Sequence, residues 1–356
     1  MLKTSCALLL LGVLGSGLAQ AMDYRIETVT EGLQHPWSLA FLPDGRMLVT
    51  ERVGRLRIIE RDGSLNPQPV AGLPEVFAAA QAGLMEVQLD PEFASNQQIY
   101  LTYAYGTAKA NNTRLAKARL VDGQLQDVQV LFSALPAKAG AAHYGGRLAF
   151  LPDNSLVLTL GDGYDLREQA QDRSNHIGKI VRLNRDGRSG AAAEIYSLGH
   201  RNVQGIVYDA ELQRLYSHEH GPRGGDELNL IEPGNNYGWP LITYGIDYTG
   251  AQISPYTELP GLQQPLLHWT PSVAPSSLTI YRGELFPQWQ GDLFASTLAE
   301  RSVRRIRLQD GKLAGEEVLF EELEARIRDV RSGPDGALYL LTDSGNGQLL
   351  RVLPSQ

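Results

Sequence analysis

The 356-residue sequence has almost no cysteine: Cys6 is the only one, and it lies close to the N-terminus. Beyond it there is no thiol nucleophile, no thiolate metal ligand and no disulfide. Long apolar runs are also scarce. The clearest, Ala7 to Leu18, follows Lys3 and precedes the small-x-small tripeptide Ala19-Gln-Ala21. A positive charge, a short apolar core and that tripeptide read as a secretory signal peptide over residues 1–21, too short to span a bilayer. The mature chain is then expected to start at Met22, and Cys6, ahead of the apolar core, is badly placed for a lipid anchor. Export without disulfides fits a bacterial periplasmic protein held together by its own core.

Positive charge is in deficit too. Without Lys3 the chain carries 31 basic and 40 acidic residues, a net charge of −9. That disfavours nucleic acid or an anionic membrane as a partner. No later apolar run reaches spanning length, so no membrane span is expected. A neutral small molecule or a bound cation is compatible with this balance.

Sustained helical periodicity is missing as well. Apolar runs are short and alternating, and glycine and proline are scattered evenly, which predicts an all-β chain. One unit recurs: an apolar strand, a turn rich in Pro, Asp and Gly, and a second apolar strand. Ser38–Thr50 is the first copy, and Arg147–Thr159 repeats it nearly residue for residue. The turns fall near residues 44, 91, 153, 209, 282 and 335, at intervals of 47, 62, 56, 73 and 53. Standard propeller blades take about 40–50 residues, and loop insertions account for the excess. Six copies without a linker predict one six-bladed β-propeller over residues 22–356, in preference to a β-sandwich or two smaller β domains.

Loops between blades crowd around one mouth of a propeller's central channel. The longest interval contains His218-Glu-His-Gly-Pro-Arg-Gly-Gly-Asp-Glu, a connection dense in polar groups and glycine. Gly221 and Pro222 offer bare carbonyls beside Asp226 and Glu227, a set that suits Ca²⁺. His218 and His220 invite a zinc reading, but no third ligand of the right type is near in sequence. His143, followed by Tyr144-Gly145-Gly146, is the best general base, and Asp162 could orient it through the other ring nitrogen. Arg201, Arg326 and Arg328 are fixed cations with fork geometry for carboxylates or carbonyl oxygens.

Leu198-Gly-His-Arg-Asn202, His220-Gly-Pro222, Asp226-Glu-Leu-Asn-Leu-Ile231, Asn236-Tyr-Gly-Trp-Pro240, Pro271–Ser277 and Arg326-Ile-Arg-Asp-Val330 together carry a resemblance over essentially the whole mature chain. The sequence resembles the soluble glucose and aldose sugar dehydrogenases that depend on pyrroloquinoline quinone (PQQ), the glucose/sorbosone dehydrogenase family. Its compact length is more like the aldose sugar dehydrogenases than the longer glucose dehydrogenases. The resemblance implies His143 as base with Asp162 in support, and Gln81, Arg201, Asn202, Ser272, Arg326 and Arg328 in contact with PQQ. It implies Gly221 and Pro222 as main-chain ligands of a Ca²⁺ that also binds the quinone. Glu227, Tyr237 and Asp247 match a second, structural calcium site. Where longer members carry a lysine against the cofactor this chain has Ala299, so the cofactor would be held less tightly or through Arg301, with a different sugar preference.

Three readings follow. The first is a periplasmic quinoprotein that oxidises the anomeric hydroxyl of an aldose to the lactone. Hydride would pass to PQQ, His143 would act as base, and Ca²⁺ and Arg201 would stabilise charge on the quinone. An external acceptor (a quinone, dye or cytochrome) would take the electrons, and the protein would be a monomer or homodimer. The second is a calcium-dependent lactonase or esterase, which needs a metal held by channel carboxylates and amides and does not need three channel arginines. The third is a non-enzymatic propeller that binds a partner at its rim, for which His143 and Asp162 have no reason to meet.

Overall fold

Each of the six expected turns joins two antiparallel strands, and a side-chain hydrogen bond holds most of them. The turn carboxylates of Asp44, Asp90, Asp153, Asp209 and Asp335 accept the backbone N–H two residues on, at 2.8–3.2 Å, as aspartate does in tight turns. Gly45 and Gly336 then take left-handed φ of 89° and 83°, and Asn154 fills the matching position of the third repeat at 69°. Asparagine tolerates that region better than other side-chain-bearing residues.

The computed structural model describes residues 24–185, 193–309 and 311–355; the expected signal peptide, with Cys6 and Met22, lies outside them. The strands form six antiparallel sheets arranged in a ring, a six-bladed β-propeller. Blade 1 comprises Pro36–Phe41, Met47–Glu51 and Arg55–Ile59. Blade 2 comprises Leu84–Leu89, Gln98–Thr107, Ala110–Val121 and Gln124–Ser133. Blade 3 has Leu148–Phe150, Ser155–Thr159, Lys179–Asn184 and Glu194–Leu198. Blade 4 has Val203–Asp209, Arg214–Glu219, Asp226–Ile231 and Leu267–Trp269. Blade 5 runs through Pro275–Ile280, Leu293–Thr297, Val303–Gln309 and Lys312–Leu319. In blade 6, Ile327–Ser332, Leu338–Thr342 and Gly347–Pro354 are completed on the outside by Tyr24–Leu33 from the start of the described chain.

The core is a set of wedges between neighbouring blades. Leu48 and Leu56 of blade 1 pack with Val87 and Leu101 of blade 2, and Leu39 and Val49 meet Leu341 and Leu349 of blade 6. The other four junctions are filled in the same way. Strands buried on both faces by their neighbours explain why the sequence reads as short, nearly continuous apolar runs.

Five of the six inner strands carry a β-bulge at the end where they enter the blade, at Trp37, Met85–Glu86, Gln204, Ser276 and Arg328. A bulge re-aims a side chain without ending the strand, and here the re-aimed groups meet in the channel. Arg147, just ahead of the inner strand of blade 3, ties them together. Its guanidinium donates to Glu86 (2.9 Å), Asp329 (3.0 Å) and the carbonyls of Gln204, Ser276 and Arg328, and it stacks 3.9 Å from the centre of the Trp37 ring. One buried cation thus touches the inner strands of all the other five blades.

Candidate active site

Loops that enter inner strands and loops that leave second strands open at the same end of the ring. Above the Arg147 cluster they enclose an axial cleft of about 170 Å³. Gln81, Asn202, Arg326 and Arg328 line it, as the sequence suggested, and so does Arg52, which the sequence analysis missed. Asp343 is the only carboxylate on this lining. It accepts from Arg328 at 3.2 Å and lies 3.7 Å from Arg326. Arg328, Arg52 and a hydrogen bond from His35 overcome the effect of burial and hold the Asp343 carboxyl at about 2. Burial, with Arg147 and Arg52 nearby, lowers the Arg328 guanidinium to about 10 in spite of Asp343. Three arginines against one carboxylate leave the cleft short of negative charge.

His143 and Asp162 meet. Nδ1 of His143 lies 2.6 Å from Oδ1 of Asp162, so it carries the ring proton and Nε2 is left as an acceptor with no partner among the described residues. His143 holds a left-handed φ of 53°, uncommon for a side-chain-bearing residue and frequent at functional sites. Its backbone N–H is tied to Gln81 Oε1 at 2.9 Å. The carboxylate is held in turn: Oδ1 accepts from Tyr164 N at 2.8 Å and Oδ2 from Trp239 Nε1 at 2.9 Å. Burial alone would raise Asp162, but its hydrogen bond and charge contact with His143, with Arg201 nearby, keep it below the usual carboxylate range. Burial lowers His143; the Asp162 hydrogen bond opposes this, while Arg201 and Lys138 add to it. The result is a buried neutral imidazole with a fixed tautomer, next in the chain to Tyr144 and Gly145, which line the axial cleft.

Lys138 has no counterpart in the sequence analysis. It is buried, its Nζ sits 3.8 Å above the Tyr144 ring, and burial lowers it to about 8.

Arg201 lines two neighbouring clefts and not the axial one, which its neighbour Asn202 lines. Its Nη1 donates to Gly221 O at 2.7 Å and to His220 O at 3.1 Å. The expected calcium loop is built as its glycines suggested, with Gly224 and Gly225 at φ of 81° and 72°. Asp226, however, is spent on holding the loop, accepting from Gly221 N, Val273 N, Ala274 N and Ser272 Oγ at 2.7–3.0 Å. The carbonyl of Pro222 has no donor among the described residues, and the Gly221 carbonyl is shared with Arg201. Both are hard oxygens of the kind Ca²⁺ takes.

Glu227 and Tyr237 line a small space together with Glu219. Burial and the neighbouring Glu219 push the Glu227 carboxyl well above its ordinary range, the condition a cation would relieve. Asn229, next to Glu227, has a buried Oδ1 without a partner. The residues present fit a metal, although among the described residues no group of three or more His, Cys, Asp or Glu side chains is gathered to hold one.

Three expectations are corrected. Asp247 does not join Glu227 and Tyr237: it lines a neighbouring cleft, where its carboxylate caps Thr249 and faces Arg167 at 3.5 Å. Ser272 does not line the axial cleft, because its hydroxyl is donated to Asp226, and Ala274 stands there instead. Arg301 does not take the place of the missing lysine. It reaches toward Glu324 O at 3.4 Å, and Leu298 lines the cleft beside Ala299. The zinc reading also fails to gather ligands: His220 Nε2 donates to Pro275 O at 2.8 Å, and His218 is buried with neither nitrogen bonded.

Arg52 and Asp343 follow the second strands of blades 1 and 6, the position Asp162 approaches in blade 3, so the repeat itself was the signal for them. The profile of the glucose / sorbosone dehydrogenase family matches residues 33–351. The chain belongs to that family. An uncharacterized protein of Synechocystis is 45% identical across 94% of this chain and 87% of its own length. The aldose sugar dehydrogenase of Escherichia coli K12 is 39% identical, covering 93% of each chain, and its apo crystal structure, covering 93% of this chain and 100% of that one, superposes with a TM-score of 0.88. The PQQ-bound aldose sugar dehydrogenase of Streptomyces coelicolor is 28% identical, with a TM-score of 0.76 over 93% of this chain and 99% of that one. Family membership and the ring of six blades are thus established from two directions.

Proposed function

We propose that this protein is a PQQ-dependent aldose dehydrogenase that oxidises the anomeric hydroxyl of a sugar to the lactone. The observation that carries this reading is the placement of a carboxylate-anchored neutral imidazole beside a cleft with three arginines and one carboxylate. The structurally similar aldose sugar dehydrogenase of Streptomyces coelicolor binds PQQ, which supports this reading.

Arg52, Arg326 and Arg328 would hold the carboxylates of PQQ, with Gln81 and Asn202 beside them. Gly221 and Pro222 would give oxygens to Ca²⁺, and Glu227 and Tyr237 to a structural calcium. When bound, the quinone is the hydride acceptor, with Ca²⁺ polarising it. The protein's own work is to hold and move a proton. Asp162 fixes the tautomer of His143 through Nδ1, so Nε2 receives the proton of the sugar hydroxyl. Trp239 and the Tyr164 amide keep Asp162 aligned and charged. Arg201 supplies a fixed positive charge where negative charge develops.

A lactonase would need free channel carboxylates, whereas Glu86 and Asp329 are paired with Arg147 and Arg331. A rim-binding propeller gives no account of the His143–Asp162 contact. The signal-like N-terminus supports a periplasmic location, with an external quinone, dye or cytochrome as electron acceptor. Among the described residues no helix is long and apolar enough to cross a membrane.

The test is reconstitution. Purified protein given PQQ and Ca²⁺ is expected to reduce a dye with aldoses and to yield the lactone, and chelation should abolish turnover until Ca²⁺ is returned. Full turnover of sugar without PQQ would overturn the reading.

A further inference from the structure

Behind the His143–Asp162 pair, on the side of blade 2, lies a cation that no carboxylate holds. Lys138 is 3% exposed. Its Nζ sits 3.8 Å from the centre of the Tyr144 ring and donates to Asn111 Oδ1 at 3.4 Å. The same oxygen accepts from the Tyr144 hydroxyl at 2.6 Å. A buried ammonium is ordinarily paired with an anion. Here a ring face and one amide oxygen receive it, and neither carries a full negative charge.

The arrangement is held from several directions. Asn111 and Lys138 exchange two backbone hydrogen bonds, at 2.8 and 2.9 Å. Asn111 Nδ2 donates to Thr107 O at 2.7 Å and to Gly140 O at 2.8 Å, which ties the blade 2 hairpin to the loop that enters His143. The Lys138 stem passes so close to Gly163 that a Cβ there would lie 2.6 Å from Lys138 Cδ. Gly163 follows Asp162 in the chain, and Tyr144 follows His143. Lys138 therefore packs on the chain neighbours of both members of the pair, and among the described residues it is hydrogen-bonded to neither.

A charge without its own counter-ion acts on the groups around it. The groups facing Lys138 are the carboxylates of Asp162 and Asp165. Those facing His143 are Asp162, Arg201, Lys138 and His220, of which His220 is held neutral by burial. Burial brings the Lys138 ammonium down to about 8, so it stays charged throughout the acid range in which a lowered histidine titrates. An imidazolium at His143 would form with two cations near it and one carboxylate bonded to it.

Resting on the function proposed above, we infer that Lys138 is a positioning residue of the base: its charge keeps Asp162 ionised and His143 unprotonated, and its stacking on Tyr144 fixes the chain that aims the His143 ring. Once His143 has taken the sugar proton, the same charge favours release of that proton to solvent.

The test separates charge from packing. In cofactor-free protein the protonation midpoint of His143 is read from its ring NMR signals, assigned by their loss in His143→Gln. Lys138→Met keeps an apolar stem and removes the charge. The midpoint should rise by roughly one pH unit, the scale of one charge several ångströms away in a partly screened site. In reconstituted enzyme the acid limb of kcat/KM should move up with it. Lys138→Arg keeps a cation able to stack on the Tyr144 ring and should leave midpoint and limb at the parent values. Asn111→Asp gives an intact Lys138 the counter-ion it lacks, and should raise the midpoint as Lys138→Met does; it serves if the methionine variant does not fold. A midpoint unmoved by Lys138→Met, or by Asn111→Asp in its place, would overturn the inference, as would an equal rise in Lys138→Arg. A shifted midpoint in cofactor-free protein sustains the inference even if no sugar is oxidised. An active enzyme whose midpoint and acid limb ignore the loss of the charge keeps the proposed function and loses the role of Lys138.

Discussion

The indole N–H of Trp239 reaches Asp162 Oδ2 at 2.9 Å across 77 residues of sequence, so the base of blade 3 is aligned by a loop of blade 4. Each oxygen of that carboxylate has its own task, one toward His143 and one toward Trp239. Asp162→Asn keeps the shape but offers only one acceptor oxygen and can leave His143 in the wrong tautomer. A fall in the single-turnover rate of quinone reduction by about 10²-fold or more is expected. Trp239→Phe should cost less, since the His143 contact survives it. Stopped-flow absorbance of reconstituted enzyme measures both.

The acid limb of kcat/KM should lie below the ordinary histidine pKa of about 6.5. Burial disfavours the imidazolium, and Arg201 and Lys138 add to this. A base must be neutral to accept a proton, so lowering its pKa preserves activity to lower pH. His143→Gln should still bind PQQ, but reduce it roughly 10²–10⁴-fold more slowly. An acid limb at or above the ordinary histidine value would contradict the geometry.

Arg328 is buried, and among the cleft-lining residues its one carboxylate partner, Asp343, is shared with Arg326. Arg328→Ala should weaken PQQ binding by about 2–5 kcal/mol, the scale for one member of a buried charged pair. Sugar KM at saturating PQQ should change little. A PQQ titration followed by fluorescence quenching gives the number.

Arg147 is expected to govern stability more than chemistry. Arg147→Met leaves Glu86 and Asp329 buried with Arg331 as the shared partner and frees three carbonyls. Losing a buried ion-pair partner costs about 3–5 kcal/mol, and urea unfolding of cofactor-free protein should register it. A variant as stable as the parent would mean that water replaces the guanidinium.

Much of this was legible in the sequence because turns repeat their chemistry. Asp44-Gly45, Asp153-Asn154 and Asp335-Gly336 announce the hairpins, and the stretches around Gln81, His143, Asn202 and Arg326 precede inner strands. What stayed hidden depends on contacts far apart in sequence. Arg147 reads as an ordinary residue at the start of a strand, since the partners of its guanidinium lie between 57 and 182 residues away in sequence. Ser272 was misplaced because nothing local shows that Asp226, 46 residues away, takes its hydroxyl. Asp247 lies in the connection between Ile231 and Leu267, where no strand period fixes direction.

The outermost strand of blade 6, Tyr24–Leu33, pairs with Gly347–Pro354, from Tyr24 against Pro354 to Leu33 against Gly347. The first strand of the described chain therefore waits for the last. Until residue 354 is available, blade 6 has an open edge and the circle has a gap, and an unpaired edge invites another chain. Closure of the ring is thus gated by the strand Gly347–Pro354, although the inner blades can form as they emerge. It follows that the two ends of the described chain could be fused and a new opening cut in an exposed turn such as Asp44-Gly45. Such a permuted protein would exchange which blade is sealed last while leaving the channel and its clefts intact.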